Sequence, residues 1–162
     1  MNPLILMALI AGIPIALILL MRVKAAMVFM ALCAGSVLTT FVSDAALDML
    51  QMFLRSYSSN TEAVVQIGLL LLPALLTILF LRSTVAGSAF VFNVLPAVLT
   101  GVMTLYLVVP LLPPGTSNAV TGTSIWGQLV QYQAVLVGSA VFFSVMQLWS
   151  SGRSARHKKK KH

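Results

Sequence analysis

Five long apolar segments dominate this sequence, and none of them contains an Asp, Glu, Lys, Arg or His residue. The segments are residues 3–21, 25–42, 64–81, 86–110 and 126–149. A bilayer hydrocarbon core about 30 Å thick is crossed by roughly 20 apolar residues in a helix. The sequence therefore predicts an all-α, polytopic integral membrane protein with five transmembrane helices, a single membrane domain over residues 1–149 and a tail over residues 150–162.

The composition argues against an ordinary soluble domain. Hydrophobic residues make up 59% of the chain and charged residues 8%, whereas soluble domains average about 45–50% and about 25%. A fold of 162 residues cannot bury that apolar excess. The first segment is preceded by no basic residue and followed by Arg22 and Lys24, the reverse of a cleavable signal peptide. We expect it to be a retained first span.

The basic residues predict the orientation in the membrane. Five alternating spans place every basic residue except Arg55 on one face, whereas four spans would scatter them. The residues on that face are Arg22, Lys24, Arg82, Arg153, Arg156, Lys158, Lys159, Lys160 and Lys161. The positive-inside rule makes this face cytoplasmic and puts the N-terminus outside.

The basic tail is also expected to lie near anionic lipid headgroups, where each cation contributes about 1 kcal/mol of attraction. Binding to an acidic protein partner or to RNA is the alternative. The sequence argues against nucleic acid, because the basic residues are not interleaved with aromatic side chains and no basic amphipathic helix carries them.

The stretch over residues 43–56 reads "SDAALDMLQMFLRS" and has a different pattern. Its polar residues recur at steps of four, three and four, so they share one helical face. These residues are Asp44, Asp48, Gln51 and Arg55. With Ser43 as N-cap, the pattern predicts an amphipathic helix lying at the outer interface. Asp44 and Asp48 are expected to be its solvated face, and binding of a cation or an outer partner is the alternative.

Residues 113–124 read "PPGTSNAVTGTS" and predict an outer loop, because they are neutral and rich in helix breakers. The fifth segment is bracketed by Trp126 and Trp149. Trp is enriched at both membrane interfaces, so these residues are expected to mark the two ends of the last span.

The sequence offers no arrangement that supports catalysis or metal binding. Its acids are confined to the predicted outer segment, and its two histidines lie in the tail. No His, Cys, Asp or Glu cluster has metal-ligand spacing, and no ionisable group lies inside a span to relay protons. We therefore expect a protein that is not an enzyme, has no cofactor and is not driven by protons.

Small residues recur every four positions in three spans. They are Ala8, Gly12 and Ala16 in the first span, Ala31, Gly35 and Thr39 in the second, and Asn93, Ala97 and Gly101 in the fourth. Such tracks let helix backbones approach closely in lipid. They are expected to pack within one monomer, or to form a face that self-associates or docks on a membrane protein partner.

A few polar side chains lie within the spans and suggest a second function. They are Asn93, Gln128, Gln131, Tyr132 and Ser139. Asn93 precedes Pro96, whose ring frees a backbone carbonyl, so its amide is expected to satisfy nearby backbone or to bond across helices. Alternatively, the five side chains line a polar path for a neutral or amphipathic solute.

The layout resembles the colicin V production protein family. The similarity rests on the turn "MRVKAA", the span "LLPALLTILFLR" and the segment "FNVLPAVLTG". The resemblance implies a bacterial inner-membrane protein, linked to export of a small toxin or to envelope maintenance, as part of an assembly. The Gly-Arg-Gly type of first turn and its following Glu are absent here, so no functional residue is carried over.

These patterns favour a non-enzymatic membrane scaffold or accessory subunit. A transport or channel component for a neutral or amphipathic solute is the alternative function.

Overall fold

A computed structural model describes residues 2–53, 59–81 and 90–159. Within these ranges the regular structure is entirely helical, as predicted. The helices are α1 (Pro3–Leu20), α2 (Ala25–Phe53), α3 (Ser59–Phe80), α4 (Phe90–Val108), α5 (Pro114–Thr121), α6 (Ser124–Gln131) and α7 (Gln133–Lys159). A short 3-10 turn, Val109–Leu111, follows α4.

Two antiparallel helix pairs, α1 with α4 and α2 with α3, make the closest contacts, and α4 also packs against α2 and α7. Gly101 of α4 lies against Ala11 and Ile15 of α1, where a Cβ added to Gly101 would come 2.7 Å from the Ala11 carbonyl oxygen. Gly35 of α2 lies against α3, where an added Cβ would come 2.1 Å from the Leu70 carbonyl oxygen. Both glycines therefore permit a close backbone approach that any side chain would block.

The helix bundle has two distinct ends. At one end the turn after α1 meets Asn93 of α4 and Gln147 of α7. We call this the basic end, because Arg22 and Lys24 lie in that turn. At the opposite end Met7 packs with a cluster of Leu105, Val109 and Val120, and partly buried Trp126 joins it. The first residues of α1 and the last residues of α7 therefore lie at opposite ends.

The prediction that a separate interfacial helix begins at residue 43 is wrong. α2 continues unbroken from Ala25 to Phe53, 29 residues, which is about 43 Å. Ser43 is an interior helical residue rather than an N-cap, and Ser43 and Leu47 are buried. No Gly or Pro interrupts the chain here, so nothing ends the helix at residue 42. Asp44 and Asp48 are exposed on its surface.

The predicted fifth span over residues 126–149 is not one continuous helix. α6 and α7 meet at Tyr132 with a bend of 60°. The Tyr106 hydroxyl donates to the Leu129 carbonyl oxygen, which the Gln133 N–H would reach in an uninterrupted helix. At the bend, the hydroxyl of Tyr106 on α4 therefore competes with the Gln133 N–H for the Leu129 carbonyl oxygen.

The predicted outer loop over residues 113–124 is largely helical. α5 starts at Pro114, which suits the first turn of a helix because it has no N–H to satisfy. Thr123 caps α6 by accepting a hydrogen bond from the Trp126 N–H at 3.3 Å. Trp126 packs on Tyr106 with ring centroids 5.8 Å apart, so it lies against the bundle rather than simply ending a span. Trp149 is exposed.

Four helical stretches are long and apolar enough to cross a membrane. They are Pro3–Leu20, Ala25–Leu50, Thr61–Phe80 and Asn93–Leu111. The bent pair Ser124–Gln131 and Gln133–Trp149 makes a fifth if it forms one span. The described residues thus form an all-helical chain compatible with a multi-pass membrane protein.

Candidate functional site

A network of side-chain amides lies at the basic end and centres on Asn93, which has no exposed surface. Its Oδ1 accepts hydrogen bonds from the Ala25 N–H at 2.9 Å and from Gln147 Nε2 at 2.7 Å. Its Nδ2 donates to the Val23 carbonyl oxygen at 2.8 Å. Because one neighbour is a pure donor and another a pure acceptor, only one orientation of the amide satisfies both.

Gln147 completes the network from α7. Its Oε1 accepts from the Ala26 N–H at 3.0 Å. The first N–H groups of a helix have no partner within the helix, and Lys24, which precedes α2, offers no acceptor side chain. Asn93 and Gln147 therefore do from α4 and α7 what an N-cap residue would do locally.

The chemistry of this network is structural rather than reactive. Its members are two neutral amides and backbone groups, which neither take up nor release protons near neutral pH. Every bond joins segments distant in sequence, so the network ties the α1–α2 turn to α4 and α7. In a low-dielectric interior, a satisfied polar network stabilises one arrangement and a partly satisfied one is costly.

Metal-binding side chains are not assembled in the described part of the chain. No group of three or more His, Cys, Asp or Glu residues there could hold a metal ion. A groove on the outer surface of α3 has Val64, Gly68 and Leu72 in its lining and is almost wholly apolar. Such a surface suits lipid tails and offers no orienting polar groups.

The residues predicted to line a polar path are not brought together. Asn93 lies at the basic end, while Gln128, Gln131 and Tyr132 are exposed on α6 and at its bend, at the opposite end. Ser139 is half-buried and its hydroxyl donates to the Leu136 carbonyl oxygen of its own helix at 2.9 Å. The five side chains therefore do not share one continuous lining.

The predicted packing tracks behave differently from one another. In α4, Asn93 and Ala97 are fully buried and Gly101 contacts α1. In α2, Gly35 contacts α3, and Ala31 and Thr39 are half-buried.

Among the residues that the structure describes, the α1 track of Ala8, Gly12 and Ala16 has no packing partner. Ala8 and Ala16 are exposed, and nothing lies within 4 Å of a Cβ added to Gly12. This small-residue face therefore points away from the described part of the molecule.

The basic residues are only partly described. Arg22 is exposed and Lys24 half-buried at the basic end. The backbone of α7 includes positions 153, 156, 158 and 159. Arg55, Arg82, Lys160 and Lys161 lie outside the described residues.

Sequence reasoning singled out Asn93 but missed Gln147. The available signal was the absence of an N-capping residue type in "MRVKAA", which leaves the first N–H groups of α2 in need of distant acceptors.

Sequence reasoning also missed the repeated pattern L-P-A-x-L-T at residues 72–77 and 95–100. In both copies the Thr hydroxyl donates to the Pro carbonyl oxygen, Thr77 to Pro73 at 2.8 Å and Thr100 to Pro96 at 2.7 Å.

Comparison with protein-family models, with curated proteins and with solved structures found no match.

Proposed function

We propose that this chain is a non-enzymatic integral membrane subunit that acts as a scaffold or accessory component of a membrane assembly. The observation that carries the proposal is the outward small-residue face of α1, formed by Ala8, Gly12 and Ala16. Within lipid, helices associate through van der Waals contact, and small residues allow the closest approach. The same device closes the α1–α4 and α2–α3 contacts inside the chain.

The transport alternative has less support. A path for a neutral solute needs polar groups along its length, and the candidate side chains lie at opposite ends of the bundle. Asn93 and Gln147 are engaged with backbone groups of α2, so their hydrogen-bonding capacity already has a structural use.

The proposed setting is the inner membrane of a bacterium, with the N-terminus outside and the basic end in the cytoplasm. The distribution of Arg and Lys supports this orientation through the positive-inside rule. The resemblance in layout to the colicin V production protein family supports a link to export or envelope maintenance, which remains a prediction.

The test is the mass of the extracted particle. Wild-type protein, Gly12→Ile and Gly138→Ile are extracted in mild detergent and measured by native mass spectrometry. An added Cβ at either glycine has no neighbour within 4 Å in the part of the chain that the structure describes, so neither substitution is expected to disturb the monomer. We expect a defined oligomer or a co-purifying membrane protein for wild type and Gly138→Ile, and its loss for Gly12→Ile. A wild-type monomer carrying only lipid would contradict the proposal.

A further inference from the structure

The bend between α6 and α7 is not imposed by its own local sequence. Tyr132 has a φ of −96° and a ψ of 9°, within about 50° of α-helical values. Helical hydrogen bonds continue on both sides, from the Tyr132 N–H to the Gln128 carbonyl oxygen at 3.2 Å and from the Leu136 N–H to that of Tyr132 at 2.9 Å. No proline lies in residues 124–149. A straight helix is therefore accessible to this segment.

The contacts that hold the bend come from α4 and from the end of the bundle. The Tyr106 hydroxyl of α4 donates to the Leu129 carbonyl oxygen, and the Trp126 ring packs on the Tyr106 ring with centroids 5.8 Å apart. Trp126 and Leu129 also pack against the buried cluster at this end. In a straight helix the Gln133 N–H would replace the Tyr106 hydroxyl at the Leu129 carbonyl oxygen. Bending therefore exchanges a backbone hydrogen bond for a set of tertiary contacts.

The bend also sets the length that the α6–α7 pair can span. The 8 residues of α6 rise about 12 Å, and a bend of 60° leaves about half of that rise along the α7 axis. Gln133–Trp149 adds about 25 Å. The bent pair therefore reaches about 31 Å and a straight pair about 37 Å, against a hydrocarbon core of about 30 Å. The bent form fits an ordinary bilayer, and the straight form fits one that is about 6 Å thicker.

The forces for and against straightening are of similar size. A span that does not match the bilayer has a small cost for each ångström of mismatch, which accumulates over about 6 Å. Against this cost stand one hydrogen bond and one aromatic contact, each of which is modest. Ile125 and Val130 are exposed by 46% and 45%, and both can enter the hydrocarbon when α6 turns into line with α7. A thicker bilayer therefore favours the straight form.

We infer that the α6–α7 pair is a hinge that adjusts the last span to the thickness of the surrounding bilayer. Tyr106 is the positioning residue of the bent form, because its hydroxyl takes the carbonyl oxygen that the straight helix needs. Straightening withdraws Trp126 and Leu129 from the buried cluster, so the thickness of the bilayer is coupled to the cover of that end of the bundle. The inference rests on the membrane location in the proposed function but not on self-association.

The test places the full-length protein in vesicles of dimyristoleoyl, dioleoyl or dierucoyl phosphatidylcholine, which form thin, intermediate and thick bilayers. Spin labels are attached to Leu9→Cys of α1 and Ile125→Cys of α6, both exposed positions, in a Cys33→Ser background. Electron paramagnetic resonance gives the distance between them. Turning α6 through 60° moves its start by about 12 Å, away from a cluster that α1 shares, so we expect this distance to lengthen by about 5–10 Å in the thick bilayer.

Tyr106→Phe keeps the aromatic ring and removes the hydroxyl. We expect the ratio of bent to straight form to fall about fivefold in each lipid, so that the longer distance gains population already in the dioleoyl bilayer. Tyr132→Phe is the matched control, because it makes the same chemical change at an exposed position in the bend itself, and we expect it to leave the ratio unchanged. Thermal unfolding checks that both variants are folded, and the wild-type lipid series tests the hinge without either substitution.

One distance in all three lipids for the inserted wild type would overturn the inference, and an equal change in Tyr132→Phe would overturn the role of Tyr106. Protein that does not insert into any of the vesicles would contradict both the hinge and the proposed function. A monomeric wild type in native mass spectrometry would contradict the scaffold role alone and leave the hinge unaffected.

Discussion

Asn93 shows how one buried amide can organise a helical bundle. It is the junction of three hydrogen bonds that join the α1–α2 turn, α4 and α7. A charged residue in this position would need a counter-ion, and an apolar one would leave backbone groups of the turn without partners. A neutral amide supplies both a donor and an acceptor.

Replacing Asn93 with Leu is therefore expected to destabilise the fold by about 2 kcal/mol. The Ala25 N–H and the Val23 carbonyl oxygen lose their partners, and an unsatisfied buried group costs about 1–3 kcal/mol, moderated in membranes by new partners. Unfolding in mixed micelles gives the free energy, and hydrogen exchange at Ala25 gives the local effect. Asn118→Leu, at an exposed position on α5, is the control. Unchanged exchange at Ala25 would contradict the role assigned to Asn93.

Gly35 and Gly68 provide a matched pair for the helix contacts. Gly35→Ala is expected to destabilise by about 1–3 kcal/mol, because the new Cβ would overlap the Leu70 carbonyl oxygen of α3. Gly68→Ala is expected to be neutral or stabilising, because no atom of the described residues lies within 4 Å of an added Cβ and Ala has the higher helix propensity. The unfolding free energies of the two variants in one detergent test this difference in sign.

At this scale, the sequence indicated residue types but not their partners. The cost of placing Asn93 in an apolar segment is visible in the sequence alone. Its bonds to Ala25 and Gln147 are not, because they join positions 68 and 54 residues away. The small-residue tracks likewise look alike in sequence, although Gly35 faces a neighbouring helix and Gly12 faces outward.

At the scale of elements, α2 differs from its prediction through continuity rather than composition. The acidic part of the predicted polar face is present, with Asp44 and Asp48 exposed. A helical period cannot distinguish a new helix from an extension of the preceding one, because both have the same pattern. At about 43 Å, α2 is longer than a hydrocarbon core of about 30 Å, so its acidic last turns are expected to project beyond the membrane.

Asp44→Pro tests this continuity. In a helix starting after Ser43, residue 44 would be the first helical position, where Pro is favoured. Inside a continuous α2, Pro removes a backbone hydrogen bond and clashes with the preceding turn, at a cost of about 3 kcal/mol. We expect that loss in the unfolding free energy, and little change in the control Asp44→Ala. Equal stability of the two variants would restore the predicted break at residue 43.

The bend between α6 and α7 could not be read from local pattern either. Residues 126–149 contain no Pro and no charged residue, and Gln131 and Gln133, on either side of Tyr132, are compatible with an unbroken helix. The contact associated with the bend comes from Tyr106, on another helix. Local sequence therefore predicted that the segment is helical but not where its axis turns.

At the scale of the whole molecule, basic and acidic residues lie toward opposite ends of the bundle, as do the first residues of α1 and the last residues of α7. Arg22 and Lys24 lie at the basic end, and the three acids lie toward the opposite end. Counting apolar segments predicted the helical class well, because their lengths reflect the thickness of a bilayer. The number of crossings depends on the bent α6–α7 pair, which counts as a span only if its two parts cross together.

The termini distinguish these two possibilities. If α6 and α7 form a fifth crossing, the first and last residues lie on opposite sides of the membrane, as the antiparallel arrangement of α4 and α7 at Asn93 and Gln147 favours. Single-cysteine variants Asn2→Cys and Ser154→Cys, each in a Cys33→Ser background, are exposed to a membrane-impermeant thiol reagent in intact cells. We expect labelling of position 2 only, with position 154 labelled after permeabilisation. Labelling of both positions in intact cells would instead indicate four crossings, and the basic end would then lack the cytoplasmic tail that the positive-inside rule assigns to it.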